Sequence, residues 1–464
     1  MKGLLRLFAA SIFVGACMVN IGFAEEASNK MLKLLPEIHK AVDADAKDVQ
    51  EIYKDIHEHA ELGFMETRTA GIVAKELRAL GFDVKTEIGI TGVVGILEKG
   101  DGPVFMFRGD MDALPIEEKT GLPFESKVRV TNLDGVEVPV SHMCGHDAHV
   151  TWVVALGKSM VRLKDHWSGT LVLVAQPAEE PIEGAIAMVN DGMFTTQGVP
   201  KPDNFLSLHT GPFPTGAVVL TPGRLTTGSQ HIDVTFYGSG GHGSSPHVAT
   251  DPIIMAAAAI MQYQTIVSRI MDPTETSVLT VGMVRAGETY NVIPTEAHLM
   301  LKLHYTTVEA GEKMVSSIKR ISENIARSFG ITDESMMPKV EVRGYAPPVV
   351  NSEEWMARIG DVLKDAKAAD KTLSGERALE GTGLFGLQVS GSDDAFALIE
   401  GIEGVQKAYI FLGSAPPEMV AAAHKEGKEF PFFAHQPNYM VDLDAITFGT
   451  KVATVLALDV LGRK

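Results

Sequence analysis

Four short apolar runs, TGVVGILEK, PVFMFRGD, GTLVLVAQPAEE and FLSLHT, constrain the fold more than any other feature of this chain. Each is too short for a buried helix, is rich in Val, Leu and Phe, and is bounded by Gly or Pro. That pattern describes strands buried on both faces, as in a mostly parallel sheet. Between them HVTWVVALGKSMVRLK and EGAIAMVNDGMF carry apolar residues at helical spacing. Residues 35–82 read as two further helices, the second being METRTAGIVAKELRALGF with its glycine stop. The alternation predicts an α/β fold with a mostly parallel central sheet flanked by helices.

From about Leu225 the pattern changes. HIDVTFYG alternates like a half-exposed strand, DPIIMAAAAIMQYQTIVSRIM and VEAGEKMVSSIKRISENIARSFG are long helices, and SVLTVGMVRAG and EAHLMLKLHY are strands again. Strand-helix-strand-strand-helix-strand order predicts a smaller α+β domain interrupting the first. The expected organisation is a leader at 1–24, a first domain at 25–224 and 341–464, and an inserted domain at 225–340.

The leader is expected because a short basic start, MKGLLR, precedes an apolar run that ends in small residues at Gly22 and Ala24. A membrane anchor and a lipoprotein site at Cys17 are the alternatives. No later segment reads as apolar enough to cross a membrane, so an exported protein, periplasmic or secreted, is expected. Removing residues 1–24 removes Cys17 and leaves Cys144 as a lone thiol, so no disulfide within the chain can staple the fold. The net charge of −18 becomes −20 once Lys2 and Arg6 are gone, which argues against nucleic acid or an anionic membrane as partner.

The polar residues of interest fall where the apolar runs end. Asp110 and Asp112 follow VFMF, Glu179 and Glu180 follow LVLVAQ, and His209 follows FLSL. In open α/β sheets, sites form beyond the carboxyl ends of strands. SHMCGHDAHV adds Cys144 and His146, whose sulfur and nitrogen suit zinc and its neighbours. Taken singly, a C-x-H pair is more often a buried Cys beside surface histidines, and a Glu pair is more often a solvated turn. Together they place a Cys, a carboxylate and several histidines around one cleft.

RGDMDALPIEE, HMCGHDAH, QPAEE, LHTGPFPTG, GGHGSSPH, NVIP and AHQP, in that order, resemble the M20 metallopeptidase family. The resemblance runs from about Ile38 to the C-terminus and is strongest to the amidohydrolase branch of hippurate and auxin-conjugate hydrolases. It implies a catalytic domain interrupted by a lid domain that dimerises. It implies that Cys144, His146, Glu180, His209 and His435 hold one or two divalent ions (Zn, Mn, Co or Ni), with Cys144 in the bridging place. It also implies that Glu179 is the catalytic base and that Asp112 orients a ligand. His242 and Asn291 match lid residues that reach substrate, His242 helping to stabilise the oxyanion. His424 is a rival to His435; the duty of Asp110 stays open, and no role is carried onto Asp393 or Asp394. A serine nucleophile at Ser244 or Ser245 is not expected, since nothing nearby supplies a triad.

The expected activity is metal-assisted hydrolysis of N-acyl amino acids or small amide conjugates. A dipeptidase or carboxypeptidase is the alternative within enzymes. A non-catalytic metal- or ligand-binding protein is the alternative outside them.

Overall fold

In a computed structural model, which describes residues 13–369 and 391–462 and side chains over 32–366 and 391–462, the apolar runs lie in one seven-stranded sheet. Its spatial order is Asp83–Ile88, Gly92–Lys99, Gly169–Gln176, Val104–Asp110, Asn204–Pro214, Gln406–Ala415 and Val218–Val219. The central four strands are parallel. Gly92–Lys99 pairs antiparallel with both of its neighbours. A run of Val and Leu records burial on both faces but not strand direction, so the sequence expectation holds for the centre of the sheet and not for its margin. The strand Gln406–Ala415 returns from the far side of the smaller domain to complete the sheet.

Helices cover both faces of this sheet. On one side Phe13–Glu58, His146–Arg162 and Leu443–Leu461 pack together through Ile38, Val42, Ile56, Trp152, Val153, Ile446 and Leu456. The Trp152 indole donates to the Ile446 carbonyl at 3.1 Å, and Gly449 lets the last helix approach that ring, since any Cβ there would collide with it. On the other side Met188, Phe396 and Ile399 close against Met106, Val172 and Phe205. The expected leader, residues 1–24, lies outside the residues whose side chains are described.

The smaller unit is a four-stranded antiparallel sheet ordered Ser277–Ala286, Glu296–Tyr305, Gly228–Tyr237 and Lys339–Ala346. Helices Pro252–Thr265 and Val308–Ser328 bury Met255, Ala259, Tyr263, Met314 and Ile318 against Val234, Leu299 and Leu301. One expectation needs correction here. The helical segment Pro252–Ile270, including a π-helical end, is long and apolar enough to span a membrane by length and composition, and 28% of its apolar 18-residue window is buried. Its buried face belongs to the domain core, while Ile254 and Met261 remain exposed on the outer face. A helix apolar on both sides loses the contrast by which a soluble amphipathic helix is read.

A buried ion cluster bolts the first helix to the helix that begins at His146. His57 Nδ1 meets Asp147 Oδ2 at 2.6 Å and its Nε2 meets Glu118 Oε1 at 2.9 Å. Burial alone would lower the imidazole, but hydrogen bonds to both carboxylates, together with their charges, raise it from 6.5 to about 10. A pKa raised on folding contributes stability that is complete below about 6.5 and is lost as pH climbs through 10. The melting temperature should therefore fall between pH 7 and 10 in the wild type and fall less in His57→Gln; parallel curves would show that His57 is neutral in the folded chain.

Candidate metal centre

The four parallel strands deliver their carboxyl ends to one edge, and the candidate residues sit just beyond them. Register pairs Asp110 with Gln176, so Asp112 and the Glu179–Glu180 turn leave the sheet side by side. His209 lies within the neighbouring strand, opposite Phe411. Cys144 and His146 flank Gly145, which has φ 84° and precedes the helix His146–Arg162. The Thr210 side chain occupies the space that a Cβ at Gly145 would need, so only glycine brings Cys144 and His146 this close to the strand.

The donor atoms converge as two triads that share one sulfur. Cys144, His146 and His209 form one group, and Cys144, Glu180 and His435 form the other, each with its ligand atoms within 4.8 Å of one another. Cys144 Sγ is 3.7 Å from His209 Nε2, and His435 Nε2 is 3.4 Å from Glu180 Oε1. Atoms sharing a tetrahedral ion at about 2.0–2.3 Å stand roughly 3.3–3.8 Å apart, so these spacings suit a cation. His146 Nε2 and Glu180 Oε1 are buried without a hydrogen-bond partner. Buried polar atoms are rarely left so, and two facing one cluster are what a bound cation would satisfy. The residues therefore fit a divalent metal, and the sharing of Cys144 fits two.

The His146 and His209 imidazoles are each held by the nitrogen that faces away from the cluster. His146 Nδ1 donates to Asp112 Oδ1 at 3.1 Å, and His209 Nδ1 donates to the Thr210 carbonyl at 2.7 Å. Both rings are thereby turned with Nε2 toward the cluster, the arrangement that fixes metal-binding histidines. Asp112 also accepts the Glu180 N–H at 3.0 Å through Oδ2. His435 reaches the site from a loop with φ 68°, its N–H donating to Met143 O at 2.7 Å. His424 instead contacts Glu429 O and does not meet the cluster. Glu179 is 94% buried, with Oε2 3.8 Å from His146 Nε2.

Electrostatics follow from burial. The Cys144 thiol is pushed up to about 12 by burial and by the Glu180 charge, so it stays protonated until a cation binds. Burial and the charges of Asp393 and Glu180 hold the Glu179 carboxyl well above the usual carboxylate range. Burial would lower His146, but the Asp110 charge and the Asp112 hydrogen bond raise it well above 6.5.

Some residues near the site carry no sequence assignment. Asp110 accepts from Arg108 at 2.7 Å and from His149 Nδ1 at 2.6 Å, so it is engaged as a support. The fully buried Arg108 also faces Asp393 and Asp394, and both stand with Glu179 in one acidic group. The signal was present as a charge inside VFMFRGD and as the pair in SGSDDAF, but neither indicates its partner. His242 and Asn291 are exposed in the smaller domain, where Gly241–His242 pairs with Val292–Ile293. Among the described residues no hydrogen bond or ion pair joins either of them to the sulfur-centred cluster.

Residues 106–427 match the sequence family described as peptidase family M20/M25/M40. Hippurate hydrolase of Campylobacter jejuni is 33% identical over 385 residues, covering 82% of this chain and 94% of that relative. IAA-amino acid hydrolase ILR1-like 2 of Arabidopsis thaliana is 28% identical over 446 residues, covering 95% and 91%. Among solved structures, one from methicillin resistant Staphylococcus aureus superposes with a TM-score of 0.72 at 28% identity, covering 92% of this chain and 99% of that one.

The shared sulfur makes metal content a direct readout. Manganese titration of the apoprotein should give two equivalents for the wild type and one for His435→Ala. Cys144→Ala should weaken both ions at least tenfold; unchanged binding in that variant would remove the thiolate from the centre.

Proposed function

This chain belongs to peptidase family M20/M25/M40 and is a metal-dependent amidohydrolase, and we propose that it cleaves the amide of N-acyl amino acids or small amide-linked conjugates. The observation that carries the reading is the placement of Glu179. Its carboxylate lies against the donor cluster without serving either sulfur-centred triad, while its neighbour Glu180 completes one of them. A ligand-binding protein needs only one of these carboxylates.

Bound divalent metal supplies a water acidified toward neutral pH and an electrophile for the scissile carbonyl. Glu179 accepts the proton of the attacking water and delivers it to the leaving nitrogen, so one carboxylate serves as base and then as acid. Asp112 fixes His146 and the Glu180 backbone, so the donor set needs little rearrangement during turnover. Cys144, buried beside two imidazoles, keeps its sulfur inside the cluster and away from solvent.

The smaller domain supports a homodimer. Its edge strand Ser277–Ala286 exposes Val278 and Val284, and the adjoining helix exposes Ile254 and Met261. An unpaired apolar edge beside an apolar helix face favours burial against a second copy. In such a dimer His242 and Asn291, which stand apart from their own cluster, meet substrate in the partner's cleft. The basic start and apolar run of the N-terminus support export.

Glu179→Gln should retain fold and metal yet lose on the order of 10²- to 10⁴-fold in kcat toward hippurate; full turnover would end the assignment. A free-amine dipeptide should react far more slowly than its N-acylated counterpart, whereas the reverse order would favour the peptidase alternative. Met261→Glu combined with Val284→Lys should yield monomers in light scattering, and an unchanged dimer would place the interface elsewhere.

A further inference from the structure

The turn that carries Glu179 and Glu180 is held in an unfavourable backbone conformation, and one buried carboxylate outside the donor cluster is placed to hold it. Ala178 has φ 48° and Ile182 φ 55°, left-handed values that residues with a Cβ rarely adopt. The turn is closed internally by Ile182 N–H to Glu179 O at 2.6 Å and by Gly184 N–H to Ala178 O at 3.0 Å. Two side chains grip it from outside. Asp112 takes the Glu180 N–H, and Glu66 Oε1 takes the Ala178 N–H at 2.8 Å.

Glu66 is fully buried and stands at the N-cap position of the helix Thr67–Ala79, yet it makes no side-chain cap bond there. Glu61 does that work, accepting from Arg68 N and Thr69 N at 2.9 and 2.8 Å. The Glu66 carboxylate is thereby released to face the turn. Its second oxygen accepts from the Thr91 hydroxyl at 2.6 Å, which fixes the plane of the group. Among the described residues no Lys or Arg forms an ion pair with it. A buried carboxyl without a cation is costly, and both of its oxygens are taken up, one by the Ala178 N–H and one by the Thr91 hydroxyl. Gly63 completes the fit, since a Cβ there would come within 3.2 Å of Ala178 and 3.4 Å of Asp112 Oδ2.

We propose that Glu66 is a positioning residue for the hydrolysis: its acceptor on the Ala178 N–H keeps Ala178 left-handed, which aims Glu179 at the water and Glu180 at the metal. Asp112 and Glu66 act as paired clamps on either side of Glu179. This rests on the amide-hydrolase reading for its catalytic arm, while its metal arm is independent of substrate.

The test compares Glu66→Gln, which keeps a carbonyl acceptor, with Glu66→Met, which fills the space without one. Apoprotein is titrated with Mn²⁺, and hippurate turnover is measured on the loaded enzyme. Glu66→Gln should stay within about threefold of wild type in both. Glu66→Met should lose about 10- to 100-fold in Mn²⁺ affinity and in kcat, with KM changed much less. Adding Ala178→Gly, which adopts positive φ at no steric cost, should recover part of that loss. Where Glu66→Met does not fold, Thr91→Val should show a smaller loss of the same kind at an unchanged melting temperature. Wild-type affinity and kcat in Glu66→Met, or a Glu66→Gln variant as damaged as Glu66→Met, would overturn the proposal. So would a Thr91→Val variant with neither loss. If the wild type binds Mn²⁺ but cleaves no acyl amino acid, the functional reading fails while the affinities still judge Glu66.

Discussion

Asp112 is the interaction on which the rest of the site depends. One carboxylate oxygen holds the His146 imidazole and the other holds the Glu180 backbone, and these two residues belong to different triads around the same sulfur. A single side chain thus sets the relative position of both halves of the centre. It can do so because the Val104–Asp110 strand ends beside Gly169–Gln176 in a parallel pair, which carries Asp112 and the glutamate turn off the sheet together. Sheet register becomes donor geometry through one residue.

The centre lies inside a shell of buried charge. Arg108, almost fully buried, draws Asp110, Asp393 and Asp394 around itself, and Asp110 in turn holds His149. His149 Nε2 accepts the Thr210 N–H at 2.8 Å, and Thr210 is the residue against which Gly145 is packed. Breaking a buried network of this kind at one member leaves uncompensated charge, typically at about 3–5 kcal/mol. Its geometry makes the Cys144–Gly145–His146 turn part of the rigid scaffold rather than of a mobile loop.

Much of this was legible in the chain. Asp110, Glu179 and His209 stand out because each interrupts or ends an apolar run, and strand ends are where open sheets place their sites. The direction of Gly92–Lys99 was not legible, since Val and Leu record burial and not orientation. The apolarity of Pro252–Ile270 was under-read: with Ile254 and Met261 exposed on its outer face, the helix is apolar on both sides and long enough to span a membrane by length and composition. Arg108, Asp393 and Asp394 are visible as charges, but 285 residues separate Arg108 from Asp393, and only the return of the chain into the sheet brings them together. Glu66 gave no signal at all, because its importance lies in a backbone N–H that composition cannot mark.

Anomalous diffraction from crystals of the metal-loaded protein would locate the ions relative to the Cys144 sulfur. Two peaks flanking Cys144 Sγ, each at about 2.3 Å for zinc, with His146 and His209 on one side and Glu180 and His435 on the other, are the predicted result. A sulfur left without a metal neighbour while ions bind elsewhere would rule out a centre built around Cys144.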